Sequence, residues 1–274
     1  MTTTADTTTT VAPDPARYRM TPAVAAGDIA AITKRNVLRL LRTPQLLAFS
    51  TIQPVMFVLL FRYVFGGAIP VRGFAYPYVD YLMAGIFVQT TLFGGSGTAV
   101  GLAQDLKGGI VDRFKSLPMA RSAVLAGRTL ADLVRNVGVL FLMLVVGTLV
   151  GFRFHAGIVG GLAALLLVLA FGYSFSWVFA VVGLIVKDPE TAQVAGFIPL
   201  FPFIFASSAF VPVKTMPSWL QGFANVQPVS VTINAVRGLT EGGPTFHWVW
   251  QSVAWTIAIL AVFIPLAVRQ YRKV

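Results

Sequence analysis

The chain has 274 residues, of which 56% are hydrophobic and 11% charged, so it carries more apolar surface than a water-soluble globule can hide. Its formal net charge is +11, with 21 Lys plus Arg against 10 Asp plus Glu, a balance that would suit nucleic acid only if the cations shared one face. Cysteine is absent, which excludes disulfides, thiolate metal sites and a thiol nucleophile.

Residues 1–24, rich in Thr, Ala and Pro, read as a disordered tail. The tail lacks the charged-then-apolar pattern of a cleaved signal peptide, and the first apolar run starts only near Leu46. That run is therefore expected to stay as a membrane helix. The stretch from Gly27 to Arg42 reads as a basic amphipathic helix. Ile29, Ile32, Val37, Leu40 and Leu41 are assigned to its apolar side, and Lys34, Arg35, Arg39 and Arg42 to the opposite side, with Leu38 as a misfit. Such a helix would lie in the membrane surface; an ordinary positive flank of the first span is the alternative.

A bilayer core about 30 Å thick takes roughly 20 apolar residues per helix. Six spans are expected, near 46–65, 81–103, 131–151, 157–186, 194–212 and 248–268. With the N-terminus inside, sixteen basic residues fall on the cytoplasmic side and five outside, namely Arg62, Arg72, Arg153, Lys214 and Arg237. The positive charge is thus a topology signal spread over span flanks, which disposes of a nucleic-acid role and predicts both termini cytoplasmic.

Within the spans, Gly97 and Gly101, Gly147 and Gly151, and Gly157 and Gly161 have the spacing that lets helix backbones approach closely. The run Gly94, Gly95, Ser96, Gly97 predicts a bend in the second span. The segment from Gln104 to Asn136 is the most polar internal stretch and longer than a turn requires, which suggests a docking surface. In it, Asp112, Arg113, Phe114 and Lys115 would form a short helical turn ended by Pro118; a solvated hairpin is the alternative. Further on, Asp188 before Pro189 has the form of a helix N-cap. The stretch from Phe210 to Gly243 is too broken to cross the membrane and too apolar for a free loop. Two short helices dipping into the outer leaflet would fit, with Trp219, Trp248 and Trp250 at the interface.

The stretch DRFKSLPMARSAVLAGRTLADLVR, followed by FVPVKTMPSWLQGFANVQPVS and NAVRGLTEGG, resembles the permeases of ABC-2 type transporters, above all the daunorubicin-resistance group of actinobacteria. The resemblance covers residues 25–274, and one departure is Gln227, where the family more often has Asn. It implies an all-α membrane protein of six transmembrane helices, with an interfacial helix before the first span, a cytoplasmic coupling helix after the second and short re-entrant helices between the fifth and sixth. It implies, too, that two permease subunits pair, alike or related, in a bacterial plasma membrane. Each would engage a separate cytoplasmic ATPase that holds the ATP and magnesium. The coupling helix maps onto Asp105 to Pro118, giving Asp105, Asp112, Arg113, Phe114, Lys115, Leu117 and Pro118 as the residues that contact the ATPase.

Chemistry of the chain's own is not indicated. No Gly-Lys dipeptide occurs, so a P-loop is impossible and the chain is not expected to be an enzyme or to hold a cofactor. His155 and His247 have no cysteine or acidic cluster at ligand spacing, so no metal site is expected. Acidic residues sit at span ends, as Asp80, Asp105, Asp132 and Asp188 do, rather than along a proton relay. Asp132 with Arg135 reads as a paired cap of the third span. A substrate path is expected along Gln53, Phe57, Gln89, Thr90, Phe93, Phe201, Phe205 and Ser208, which mix aromatic surface with isolated hydrogen-bonding groups; ordinary span packing is the alternative. By resemblance the cargo is a lipophilic drug or natural product, with a cell-envelope lipid or glycolipid second. A proton-coupled carrier and a non-transporting scaffold are the readings from other classes.

Overall fold

The computed structural model describes residues 22–42, 44–64, 76–115 and 121–274, and within them the regular structure is helical. In chain order the helices are α1 (Pro22–Leu41), α2 (Pro44–Leu59), α3 (Tyr78–Lys107), α4 (Ile110–Lys115), α5 (Arg121–Val150), α6 (Gly157–Val186), α7 (Pro189–Phe205), α8 (Ser218–Val226), α9 (Pro228–Glu241) and α10 (Phe246–Lys273). The last turn of α2 widens into a π-helix over Leu60–Val64. Most of the N-terminal tail lies outside the described residues, although α1 already begins at Pro22.

Four helices, α3, α5, α6 and α10, are long and apolar enough to cross a bilayer. They make the chain a multi-pass membrane protein. Of the six spans expected, the first and fifth fall on the shorter helices α2, apolar from Thr51 onward, and α7, which has 17 residues. Position in the bundle follows from burial: 78% of the apolar window of α3 is buried, against 17% for α10. Accordingly α3 is the central post, packed along α6, α7 and α5, while α10 lies on the rim against α6 and α9. The outward sides of α5 and α6 carry Phe141, Leu149, Ile158 and Val159, all strongly exposed. Water offers such a stripe no partner, whereas lipid tails do.

Small residues set the central contact. A Cβ built on Gly183 of α6 would stand 2.5 Å from the Ala99 carbonyl oxygen of α3, so only glycine lets the two backbones lie this close. Helix α3 runs unbroken from Tyr78 to Lys107, so the glycines expected to bend it do not end its ladder. Gly94 and Gly97 make room for side chains of α5, and Gly95 for Phe179 of α6.

Two other expectations change. Helix α5 begins at Arg121, so Asp132 and Arg135 stand about three turns inside it and cap nothing. In α1, Ile32, Asn36 and Arg39 follow one another at spacings of four and three and share the inward face. Arg39, placed opposite Ile32 on the expected wheel, therefore turns toward the protein, and α1 packs against α5.

The stretch after α7 departs most from a simple span. Pro199 and Pro202 interrupt the ladder of α7, which ends at Phe205 after 17 residues, about 25 Å of helix. The chain then turns through buried Ser207, Ser208, Ala209 and Phe210. Backbone groups freed there need partners from the protein. Gln227 donates through Nε2 to the carbonyls of Phe203 (2.7 Å) and Ala206 (3.0 Å). Tyr81 and Arg237 both donate to Ser208 O, at 3.0 and 2.9 Å, and Tyr78 donates to Phe210 O at 2.9 Å. The Arg237 guanidinium also lies 3.4 Å over the Tyr81 ring. Side chains of α3 and α9 thus replace the helical ladder that α7 lacks.

Candidate functional site

One face of α5 presents Arg128, Asp132, Arg135 and Val139 at helical spacings of four, three and four, with Asn136 beside them. The facing side of α3 offers Gly94, Gly97 and Gly101, and a side chain on any of them would collide with Arg135, Asn136 or Arg128. Between these two helices, and closed by α1, α2 and α7, lies a cavity of about 660 Å³. Pockets of roughly 300–1,000 Å³ are the size that encloses a drug-sized molecule.

The wall is polar on the α5 side. Arg128 donates to Gly97 O at 3.1 Å and stands 3.7 Å from Asp105. Arg135 donates to Gly94 O and to Asn136 Oδ1, and Asp132 takes a hydrogen bond from Thr98. Four buried atoms around the cavity, on α1, α3 and α5, have no hydrogen-bond partner among the described residues: Asn36 Oδ1, Gln89 Oε1, Thr90 Oγ1 and Asn136 Nδ2. Each such atom left dry costs about 1–3 kcal/mol, so the cavity is built to be wet or filled by a polar group.

At its far end the wall turns aromatic. Phe93 and Phe197 stack at 5.0 Å, and Phe201 follows Phe93 at 5.9 Å. From there Phe201, Phe205, Phe210, Phe61 and Phe57 continue in steps of 5.6, 5.5, 4.6 and 5.9 Å. A ladder of rings thus leads from the polar cavity along α7 and α2.

Of the residues assigned to a path by sequence, Gln53, Gln89, Thr90 and Phe93 line the cavity. Phe57, Phe201 and Phe205 stand in the ladder. Ser208 does not join them. It is buried beneath the end of α7, donating to Asn234 Oδ1 at 2.8 Å, and serves the turn described above.

The residues assigned to ATPase contact divide too. Asp105 faces inward, where Arg39, Arg128 and Arg35 approach it at 3.4, 3.7 and 3.8 Å and bind α1 and α5 to α3. After Gly108 and Gly109, whose φ of 67° suits glycine, the chain enters α4. Val111 is buried against the end of the bundle while Arg113 is exposed. Leu117 and Pro118 lie outside the described residues, as do the side chains of Asp112, Phe114 and Lys115. Asp188 caps α7 through Thr191 N at 3.1 Å and pairs with Lys107 at 2.9 Å. The Lys107 hydrogen bond, aided by that of Thr191, pulls the Asp188 carboxyl down to about 2.

Sequence reasoning missed Arg128, Arg135 and Asn136 as cavity residues. The signal for them is the polar stripe at Arg128, Asp132 and Arg135 facing Gly94, Gly97 and Gly101, a pattern that a cap and a bend explain equally well in sequence. Among the described residues no group of histidines and carboxylates could hold a metal.

Comparison with known proteins adds a family. The model of the ABC-2 type transporter family matches residues 27–240. The daunorubicin resistance ABC transporter permease protein DrrB1 of Streptomyces coeruleorubidus is 35% identical over 81% of this chain and 78% of its own length. The probable doxorubicin resistance ABC transporter permease protein DrrC of Mycobacterium tuberculosis is 29% identical, over 69% and 68% of the two chains. A putative transport permease, ycf38 of Pyropia yezoensis, is 28% identical over 77% and 73%.

Proposed function

Because the chain belongs to the ABC-2 type transporter family, we propose that it is the permease subunit of an exporter driven by ATP hydrolysis in a separate polypeptide, and that it carries a lipophilic drug or natural product outward. The observation that supports this most is the cavity, whose polar floor on α5 and aromatic ladder along α7 match an amphiphile entering from the bilayer. The names of the drug-resistance permeases among its relatives point the same way.

In this reading the chain crosses a bacterial plasma membrane six times, α2 and α7 supplying the two shorter crossings, and both termini are cytoplasmic. Two such subunits, alike or related, pair and engage two ATPase subunits that bind the nucleotide and magnesium. Force enters at α4 through Asp112, Arg113, Phe114 and Lys115, with Leu117 and Pro118 completing the contact. The exposed Arg113 beside anchored Val111 supports this, since a short helix held against the bundle through Val111 can pass a push on to α3.

The test is co-expression with an ABC ATPase encoded beside it, reconstitution into liposomes, and measurement of daunorubicin movement with and without ATP. ATP-dependent movement, with loss of ATPase co-purification in the double variant Arg113→Ala, Phe114→Ala, is the expected result. Unchanged association in that variant sinks the docking assignment, and movement without any ATPase favours a self-powered carrier.

A further inference from the structure

Accessible surface along the cavity wall is graded. Of the lining residues, Arg39, Gln53, Gln104 and Gln193 are exposed, whereas Asn36, Gln89, Thr90 and Asn136 are buried. Arg39 and Gln104 stand in the last turns of α1 and α3, and Gln193 in the second turn of α7. Thr90 lies on α3 about 21 Å before Gln104 along the helix axis. The cavity is therefore open at the end of the bundle that carries α4 and shut toward its middle.

Two of the exposed residues show which seam is open. Gln53 belongs to α2 and Gln193 to α7, helices that scarcely touch one another and rest on α3 instead. Other seams are filled: Asp105 ties α1 to α3 through Arg35 and Arg39, while Arg128 and Arg135 of α5 enter the glycine recesses of α3. Farther along, the seam between α2 and α7 closes. Phe57 and Phe61 stack on Phe210 at 6.0 and 4.6 Å, and Phe205 stacks on it from the other side of the seam at 5.5 Å. What remains is a slit with an amide on each lip, ended by a plug of rings.

The rim of this slit is apolar. Ile52 and Met56 flank Gln53, Val194 and Ile198 flank Gln193, and all four are strongly exposed. Lipid tails suit such a rim and water does not. A glutamine amide both donates and accepts hydrogen bonds, so the lips can pass a polar head of either charge or of none.

We propose that this slit is the entrance of the cavity, taking amphiphiles sideways from the leaflet on the α4 side, with Gln53 and Gln193 as its lips and Phe93 with Phe197 receiving the apolar body inside. This rests on the reading of the cavity as the cargo's place, and it adds the route by which the cargo arrives.

The chain has no cysteine, so an introduced thiol reports on its own position. The test uses the purified full-length chain in liposomes, without any ATPase, and Thr90→Cys as the reporter at the buried end. N-dodecylmaleimide dissolved in the lipid should modify it. Gln53→Trp combined with Gln193→Trp should abolish that modification, whereas Val194→Trp, next to one lip but off the wall, should leave it unchanged. A sulfonated, membrane-impermeant methanethiosulfonate should reach Thr90→Cys only from the face on which it reaches Lys273→Cys, which follows Tyr271 at the α4 end. Val100→Cys, partly exposed on the same wall, replaces the reporter if Thr90→Cys does not fold.

Modification by N-dodecylmaleimide that survives the paired Trp substitutions overturns the proposal, since the reagent then enters elsewhere. A reporter that the reagent never reaches overturns it too, the result expected if a second subunit covers the slit. Reaction with the impermeant reagent from the face opposite Lys273→Cys is equally fatal. Because no ATPase is present, failure here leaves the exporter reading intact, and failure of ATP-driven transport leaves this labelling result intact.

Discussion

Gln227 offers the clearest test of how a broken helix is held inside the bundle. Its side chain is buried, and Nε2 donates to Phe203 O at 2.7 Å, to Ala206 O at 3.0 Å and to Ser230 Oγ at 3.3 Å. Gln227→Leu keeps the bulk and removes every donor. Two carbonyls lose a partner where water is excluded, at about 1–3 kcal/mol each, so the variant should lose roughly 2–6 kcal/mol. For a chain of this size about 2–4 °C accompanies each kcal/mol, so thermal unfolding in detergent should move down by roughly 4–24 °C. Gln227→Glu should be at least as harmful, because an ionised carboxylate sets acceptors against acceptors. Gln227→Asn keeps the donor on a shorter stem and should fall between. Hydrogen exchange ought to quicken over 203–210 and stay unchanged in α6. A Leu variant with wild-type melting and wild-type exchange would refute the claim that side chains replace the missing ladder.

The remaining expectations concern the other end of α3. Asp105→Ala leaves Arg128, a largely buried guanidinium, without its carboxylate; breaking buried pairs costs about 3–5 kcal/mol, and solvent around Arg35 and Arg39 places this one toward the low end. Limited proteolysis should then cut between α1 and α2 faster than in the wild type, and an unchanged rate would show that apolar packing alone holds α1. For Asp188, the folded-state pKa of about 2 lies below the usual value near 4, so its contribution is full above about pH 4 and is lost as pH falls through about 2. The melting difference between wild type and Asp188→Asn should therefore shrink across that window. A gap independent of pH would mean that the carboxylate charge contributes nothing.

Hydropathy exposed α3, α5, α6 and α10 because long apolar runs between charged flanks have few other uses. The cap of α7 was legible for a similarly local reason, since Asp188 before Pro189 meets its partner three residues on. What stayed hidden depends on pairing between distant segments. Gly94, Gly97 and Gly101 weaken a helix considered alone, yet they stand where Arg135, Asn136 and Arg128 enter from α5. Nothing local to α3 distinguishes a bend from such a recess. Arg39 differs, since seven residues after Ile32 a helix returns to nearly the same direction, so its inward place was legible locally and Asp105 is what it meets there. Gln227 stood out as an odd residue before a proline, and its role required knowing that α7 ends at Phe205.

Helix α3 joins all of these features, and its connections constrain how the molecule can move. One end is tied to α1 and α5 through Asp105 and to the start of α7 through Lys107. Its middle forms the cavity wall, and its other end holds the α7 turn through Tyr78 and Tyr81. Both ends of α7 are therefore bonded to α3, while Phe93, Phe197 and Phe201 stack between them. Sliding α7 along α3 would break contacts at both ends at once, whereas rotating the pair together against α5 keeps them. A rotation of that kind draws Gly94 and Gly97 away from Arg135.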